Sequence, residues 1–172
     1  MSSYTGKKIV YLMIGAKGSG KTYIGNLLES KLGIHFIRVE QRLIEHIRSE
    51  NLESDHLLND GYDLEFNWIE DILQNNDEVI SEATGSSKHL PEFINHLKTH
   101  YELRLVRISC PLDICFNRTK ERVQDHQFQV TDESIRSINA ATDKVRLDWS
   151  LTIDNADPAL DTTIIKAFNG IR

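Results

Sequence analysis

A glycine-rich string near the N-terminus has the residue types and the spacing that bind phosphate. It reads Gly15-Ala16-Lys17-Gly18-Ser19-Gly20-Lys21-Thr22 and fits G-x-x-x-x-G-K-[ST] at every fixed position. The glycines let successive backbone N–H groups point at an anion, and the helix that starts near Gly20 adds the positive end of its dipole. In this pattern Lys21 reaches the β- and γ-phosphates, and the Thr22 hydroxyl ligates Mg²⁺. The string, called the phosphate loop below, predicts a nucleotide site formed by all eight residues.

The flanks of the phosphate loop predict the strand and the helix that must hold it. An almost continuously apolar run, about residues 8–14, precedes the loop, as expected of a strand buried on both faces of a parallel sheet. A helical pattern follows over about residues 20–31, and Gly33 is a natural stop. Later apolar runs predict strands at 34–39, 78–81, 103–109 and 149–153, each followed by a helical pattern. Alternation of this kind predicts an α/β fold with a parallel sheet and helices on both faces. The polar stretch at 51–63 is expected to hold short helical pieces or a mobile segment. The helix before the last strand is expected to reach about residue 147, and the C-terminal helix to begin at residue 158.

Length, charge and cysteine content restrict the class of protein. With 172 residues, the chain is expected to form one domain over 1–172. The net charge of −6, from 20 basic and 26 acidic residues, argues against a general nucleic-acid or anionic-membrane surface. Two cysteines, Cys110 and Cys115, are expected to be ordinary small apolar residues in a reduced, cytoplasmic setting. The apolar runs are too short to span a membrane. A monomer or a homodimer is expected.

The carboxyl ends of the predicted strands select further candidate residues. In parallel sheets, ligands bind at these ends. Besides the phosphate loop, the rule selects four places: Glu40, residues 82–87, residues 109–111 and residues 154–157. Two of these places carry glutamates, and a third leads into a helix with Arg118 and Arg122 one turn apart.

With these features in place, the chain resembles the P-loop small-molecule kinases, the group that includes shikimate, gluconate and adenylate kinases. The resemblance covers nearly the whole length. It rests on the phosphate loop, an acid after the second strand, a glycine-containing loop after the third, the two arginines, a short polar segment after them and a final Asp/Asn turn. The resemblance implies a three-layer fold with a five-stranded sheet in the order 2-3-1-4-5. It also implies ATP as the phosphoryl donor, Mg²⁺, a lid at about 123–131 and an acceptor-side helical segment at about 40–75.

The resemblance also implies roles for single residues. Glu82 would hold a water of the Mg²⁺ shell, since Mg²⁺ takes few protein ligands. Arg118 or Arg122 would neutralise the charge of the moving phosphoryl group, and the sequence leaves open which of them does so. Glu40 would position the acceptor hydroxyl, although an acid at a helix N-terminus has a purely structural reading as well. Asn155 lies in the turn where this family packs the adenine base.

Two strings depart from the shikimate kinase pattern. That subfamily has two aspartates, D-x-D, after the second strand, whereas this chain reads Arg38-Val39-Glu40. It also has a glycine triplet after the third strand, whereas this chain reads Glu82-Ala83-Thr84-Gly85. The sequence therefore favours an ATP-dependent kinase for a small-molecule acceptor whose identity stays open. One alternative is a GTPase-like switch, which the E-x-x-G string at 82–85 suggests and the absence of an N-K-x-D string opposes. The other is a nucleotide-binding module without transfer activity, which the missing D-x-D pair suggests.

Overall fold

Strands and helices alternate along the part of the chain that the computed structural model describes, which is residues 6–51, 57–121, 130–157 and 159–172. The strands are β1 (Ile9–Ile14), β2 (His35–Phe36), β3 (Glu78–Ala83), β4 (Glu102–Ser109) and β5 (Leu151–Asp154). The helices are α1 (Lys21–Leu32), α2 (Val39–Glu50), α3 (Leu57–Leu73), α4 (Leu90–His100), α5 (Leu112–Glu121), α6 (Asp132–Asp143) and α7 (Asp161–Asn169).

The five strands form one parallel sheet in the order β2-β3-β1-β4-β5, which confirms the predicted order. β1 is central and pairs with β3 on one side and β4 on the other. The register sets Met13 beside Glu82 of β3, and Ile14 beside Arg107 of β4. The carboxyl ends of three strands therefore meet around the phosphate loop, which follows β1 directly.

The central strand is buried on both faces because its side chains alternate between two cores. Val10, Leu12 and Ile14 belong to the core that packs under α3 and α4, and Tyr11 and Met13 belong to the core under α1 and α7. Each of the five side chains is at most 1% exposed. This double burial accounts for the continuous apolar run and confirms the three-layer arrangement of helices around a sheet.

The second strand is shorter than the sequence predicted. The prediction covered residues 34–39, whereas β2 has two residues and α2 begins after only two more. Pairing with the sheet ends where the N–H of Ile37 donates to a carbonyl of β3 at 2.9 Å. Arg38 then leaves the sheet to form an ion pair with a carboxylate of α1 at 2.7 Å. As a result, Glu40 lies in the first turn of α2 rather than at a strand end.

Other boundaries also differ from the predictions. β3 continues to Ala83, because its backbone pairs with β1 as far as Ile14. α3 begins at Leu57, inside the polar stretch 51–63 that was expected to hold short helical pieces or a mobile segment. α6 ends at Asp143 instead of near residue 147, because the chain after it packs Leu147 and Trp149 against the core. α7 begins at Asp161 instead of residue 158.

Candidate nucleotide site

The phosphate loop forms the connection from β1 to α1, as its flanks predicted. Gly18 has φ +90° and Gly20 has φ +99°, which is the left-handed region that glycine adopts without steric cost. Gly20 is the N-cap of α1, and no acidic residue lies in the first turn of that helix. The N-terminal N–H groups of α1 therefore face the loop, and the first turn of the helix itself offers no carboxylate to compete with an anion.

The two left-handed glycines also let the loop approach its neighbours closely. A Cβ on Gly18 would lie 2.0 Å from the backbone oxygen of Cys115 in α5. A Cβ on Gly20 would lie 2.2 Å from Nδ2 of Asn155, in the turn after β5. The loop is thus a close-fitting cradle between β1, α5 and the β5–α7 turn, and its glycines are required by both φ and space.

We expect Gly18→Ala to lose most of its nucleotide affinity and to unfold more easily, by a few kcal/mol. The added methyl group meets a backbone oxygen, which cannot move away as a flexible side chain can. The matched control is Gly33→Ala, since Gly33 also has a positive φ but has open space around its Cβ position. The control should lose only about 1 kcal/mol and keep its nucleotide affinity. Thermal unfolding and calorimetric titration measure the difference, and equal losses in both variants would contradict the cradle.

Lys21 is the first residue of α1 and its side chain folds back along the loop. Its Nζ donates to the carbonyl oxygens of Gly15 at 2.8 Å and Ala16 at 3.1 Å. Burial lowers the pKa of Lys21, and the nearby Glu82 carboxylate opposes that shift. The ammonium group is therefore held inside the loop, next to the free N–H groups at the N-terminus of α1.

Glu82 lies one residue before the end of β3, beside Met13 of β1. Its side chain is only 9% exposed. Burial raises the pKa of Glu82, and the attraction of Lys21 opposes that shift. Thr22, the second residue of α1, is partly buried. The structure thus brings the predicted lysine and the predicted carboxylate of the metal shell into one electrostatic cluster.

Lys17 and Glu40 form an ion pair between the tip of the phosphate loop and α2. Lys17 Nζ lies 2.7 Å from Glu40 Oε1, and the two side chains are 12% and 28% exposed. From the sequence, Lys17 was expected to bind phosphate and Glu40 to position the acceptor. The ion pair joins these two predicted binding residues directly.

Asn139 of α6 is a site residue that the sequence reading missed. Its Oδ1 accepts from the N–H of Lys17 at 2.8 Å, and its Nδ2 donates to the carbonyl of Lys17 at 3.1 Å. The side chain is 2% exposed. The sequence did contain one indication of this burial, because Asn139 comes four residues after Ile135 and so lies on the same, buried face of the helix. The amide fixes both backbone groups of the loop tip.

The turn after β5 is joined to the phosphate loop and to α5. Asn155 Nδ2 donates to the carbonyl of Ser19 at 2.8 Å. The guanidinium of Arg118 donates to the carbonyls of Asn155 at 2.8 Å and Ala156 at 2.9 Å. Arg118 therefore lies on the predicted base-binding turn in this structure. Arg122 and residues 123–129 of the predicted lid lie outside the described residues.

Glu65 of α3 is a second residue that the sequence reading missed. Its side chain is 1% exposed, and Ser81 Oγ of β3 donates to its Oε1 at 2.6 Å. Burial raises the pKa of Glu65 to about 8, with a smaller contribution from the charge of Glu82. A glutamate on an amphipathic helix is usually exposed to solvent. The sequence therefore gives no sign that Glu65 is buried, and its burial is evident only from its contact with β3.

The part of the chain that the structure describes has neither a cluster of metal ligands nor a membrane-spanning helix. Among the residues that the structure describes, no group of three or more histidine, cysteine, aspartate or glutamate side chains is arranged to hold a metal ion. Within the same ranges, no helix has the length and the apolar character that crossing a membrane requires. Cys110 and Cys115 are both free thiols.

Most of the chain matches one known protein family. A family profile described as an AAA domain matches residues 10–145, which includes the phosphate loop, the strand of Glu82 and the helix of Asn139. No curated protein matches the sequence at a significant level.

Solved structures share the fold over nearly the whole chain. A proposed kinase from Chloroflexus aurantiacus J-10-fl has a TM-score of 0.75 at 14% identity, covering 96% of this chain and 99% of that one. Shikimate kinase from Aquifex aeolicus VF5 has a TM-score of 0.60 at 20% identity, covering 95% of each chain. A gluconokinase from Sinorhizobium meliloti 1021 has a TM-score of 0.61 at 15% identity, covering 96% of this chain and 93% of that one. The chain therefore belongs to the AAA-domain family and has the P-loop fold seen in small-molecule kinases.

Proposed function

We propose that the protein is an ATP-dependent kinase that transfers a phosphoryl group to a small-molecule acceptor. The observation that carries the proposal is the phosphate loop with Lys21 folded inside it and the buried Glu82 in electrostatic contact with that lysine. A cation at a helix N-terminus, with a buried carboxylate close enough to oppose the shift of its pKa, suits phosphates that arrive with a divalent metal. The fold shared with shikimate kinase and gluconokinase structures supports the same reaction class.

The residues present fit MgATP. Gly18 and Gly20 let the loop lie close against α5 and the β5–α7 turn in left-handed backbone conformations. Lys21 Nζ lies inside the loop on two backbone carbonyls, where phosphate oxygens could accept from it. Thr22 and Glu82 would hold Mg²⁺, the carboxylate through a water. When bound, Mg²⁺ neutralises phosphate charge and orients the phosphate oxygens.

The other residues of the site position the two reactants. Backbone N–H groups of the phosphate loop and Lys21 bind the phosphates, and the turn at Asn155, held by Arg118, receives the base. Glu40 orients the acceptor from the acceptor-side segment at 40–75. Arg118 or Arg122, which precede the lid proposed at 123–131, would neutralise the charge of the transferred phosphoryl group. Phosphoryl transfer needs mainly positioning and charge neutralisation, and these groups supply both.

The test is calorimetric titration of the protein with MgATP, with GTP as competitor, followed by a screen of hydroxyl-bearing metabolites and nucleotides for ADP release. We expect MgATP to bind and ADP release to depend on one class of acceptor. A folded protein that binds no nucleotide would overturn the proposal. Preference for GTP, with hydrolysis and no acceptor, would point to a switch protein instead.

We expect Glu40→Gln to bind MgATP more tightly, by about 2- to 5-fold, because the phosphates compete with Glu40 for Lys17. A partly exposed ion pair of this kind contributes on the order of 1 kcal/mol. The control is Glu45→Gln, an exposed glutamate of α2 whose contact is with Gln41 of the same helix. Calorimetric titration gives both affinities. Unchanged or weaker nucleotide binding in Glu40→Gln would show that the pair does not compete with phosphate.

A further inference from the structure

The two cysteines of the chain lie together at the start of α5, beside the phosphate loop. Cys110 directly follows β4, and Cys115 is the fourth residue of α5. The carbonyl of Pro111 accepts the first hydrogen bond of the helix, from the N–H of Cys115 at 3.0 Å, so Pro111 is the N-cap. The side chain before an N-cap commonly packs against the fourth residue of the helix, and here both of these residues are cysteines.

The contacts of Cys115 agree with this placement. Its Sγ donates to the carbonyl of Cys110 at 3.6 Å, and the two thiols also share a side-chain hydrogen bond. Cys115 is 0% exposed. Burial and the hydrogen bond to Cys110 raise the pKa of Cys115. Cys115 is therefore held as a protonated thiol, with its sulfur against the sulfur of Cys110.

Cys110 has different surroundings. It is partly buried and lines a cleft between the end of β4 and the C-terminal end of α6, which also reaches Gly15 of the phosphate loop. Arg118 Nη1 donates to Cys110 Sγ at 3.4 Å. Reactive cysteines lie in partly exposed places of this kind, next to an arginine or before the N-terminus of a helix. Cys110 is thus the accessible thiol of the pair, and Cys115 is the buried thiol behind it.

Both cysteines are joined to the nucleotide site. The backbone oxygen of Cys115 is the atom that a Cβ on Gly18 would meet, so the first turn of α5 packs directly on the phosphate loop. Arg118, which binds the thiol of Cys110, also donates to two carbonyls of the turn that is predicted to receive the base. A change in the position of the two sulfurs therefore affects both the loop and the turn.

We propose that Cys110 and Cys115 form a reversible disulfide when a low-molecular-weight disulfide oxidises them, and that this bond weakens nucleotide binding. The two sulfurs of a disulfide lie about 2.05 Å apart, much closer than two thiols in contact, so the first turn of α5 must shift relative to the end of β4. The shift disturbs the contact with Gly18 and takes the thiol acceptor from Arg118. The effect on nucleotide binding rests on the proposed function, whereas formation of the disulfide does not.

The reaction has two exchange steps. The sulfur of Cys110, after loss of its proton, attacks one sulfur of the small disulfide, whose S–S bond breaks, and the departing thiolate takes up the proton. The sulfur of Cys115 then attacks Cys110 Sγ in the mixed disulfide, and the second departing thiolate takes the proton of Cys115. Two protein thiols are thereby oxidised to one disulfide, and one small disulfide is reduced to two thiols.

The experiment treats the full chain with glutathione disulfide and identifies the product by its intact mass under non-reducing conditions. Calorimetric titration gives the affinity for Mg²⁺ with the non-hydrolysable analogue AMP-PNP, for the reduced protein, for the oxidised protein and after reduction with dithiothreitol. Cys110→Ser and Cys115→Ala are the variants. Serine retains an acceptor for Arg118, and alanine retains an apolar group at the buried position.

We expect the oxidised wild type to lose two hydrogens, to gain no glutathionyl group and to remain a single chain with unchanged circular dichroism. It should bind AMP-PNP at least about 5-fold more weakly and recover fully on reduction. Cys115→Ala should stop at the mixed disulfide and gain one glutathionyl group, whereas Cys110→Ser should gain none because its remaining thiol is buried. Since the coupling is reciprocal, saturation with AMP-PNP should raise the reduction potential of the pair by about 20 mV for a 5-fold effect.

The wild type alone decides the outcome. Retention of both thiols, a product that stops at the mixed disulfide, or a disulfide between two molecules would overturn the disulfide. An internal disulfide that leaves AMP-PNP affinity unchanged, or that unfolds the protein, would overturn its role at the nucleotide site. The kinase proposal stands in each of these cases. Failure of the reduced wild type to bind AMP-PNP would overturn the proposed function and the effect on nucleotide binding, while the mass still decides whether the disulfide forms.

Discussion

Lys21→Ala is expected to abolish phosphoryl transfer and to weaken MgATP binding by about 10-fold or more. The ammonium group lies inside the phosphate loop, on the carbonyls of Gly15 and Ala16, where the proposed phosphates would meet it directly. Charge on the phosphate oxygens grows during transfer, so the loss should be larger in turnover than in binding. Calorimetry measures the affinity, and ADP release with the acceptor found by screening measures turnover.

Folding should survive the Lys21→Ala change, because burial already lowers the pKa of Lys21 and so disfavours its charged form. The control is Lys31→Ala, which removes an exposed lysine from the last turn of the same helix. It should retain wild-type affinity and turnover. If Lys21→Ala keeps its rate in a folded protein, the phosphate loop has no part in the reaction.

Glu65→Gln is expected to remove a large part of the pH dependence of stability between about pH 5 and pH 8. The pKa of Glu65 rises from its ordinary value of 4.5 to about 8 in the folded protein. Over that interval the folded state binds a proton that the unfolded state has released. The free energy of unfolding therefore falls as the pH rises, by on the order of 4 kcal/mol in total.

Glutamine keeps an acceptor for the Ser81 hydroxyl and has no charge to desolvate. The variant should consequently be more stable than the wild type at pH 8 and similar to it below pH 5. Urea unfolding at a series of pH values measures the difference, with Glu70→Gln, an exposed residue of the same helix, as the control. Parallel curves for wild type and Glu65→Gln would mean that Glu65 is already ionised in the folded state.

The phosphate loop could be predicted because it follows from local sequence, whereas the order of the sheet could be predicted only because the chain resembles a family that has this order. The loop is identified by fixed residue types, and its flanks differ in period, with a continuous apolar run before it and a helical spacing after it. The proximity of Lys21 and Glu82 could also be predicted, since the carboxyl ends of parallel strands lie at one edge of the sheet.

The extent of β2 could not be predicted from local sequence. Ile34, Ile37 and Val39 are all residues that favour strands, yet the sheet contacts end after β2 and Val39 begins a helix. The ion pair of Arg38 with a carboxylate of α1 draws the chain away at this point. Such a contact between distant segments has no local signature.

The same limit applies to Asn139 and Glu65. Each is a polar residue on an amphipathic helix, where solvent exposure is the ordinary outcome. Asn139 binds Lys17, which is 122 positions away in the chain. Glu65 binds Ser81 of a strand whose side chains alternate between two cores. Their roles depend on which helix packs over which strand end, and a single sequence does not specify that.

The two outermost strands are short, and this has a consequence for behaviour at high concentration. β2 has two residues and β5 has four, so each border of the sheet offers few unpaired N–H and C=O groups to another chain. A long, flat border would act as a template for strand addition between molecules. The borders of this sheet thus oppose edge-to-edge aggregation, and the same early turn after β2 that places Glu40 beside the phosphate loop provides part of that protection.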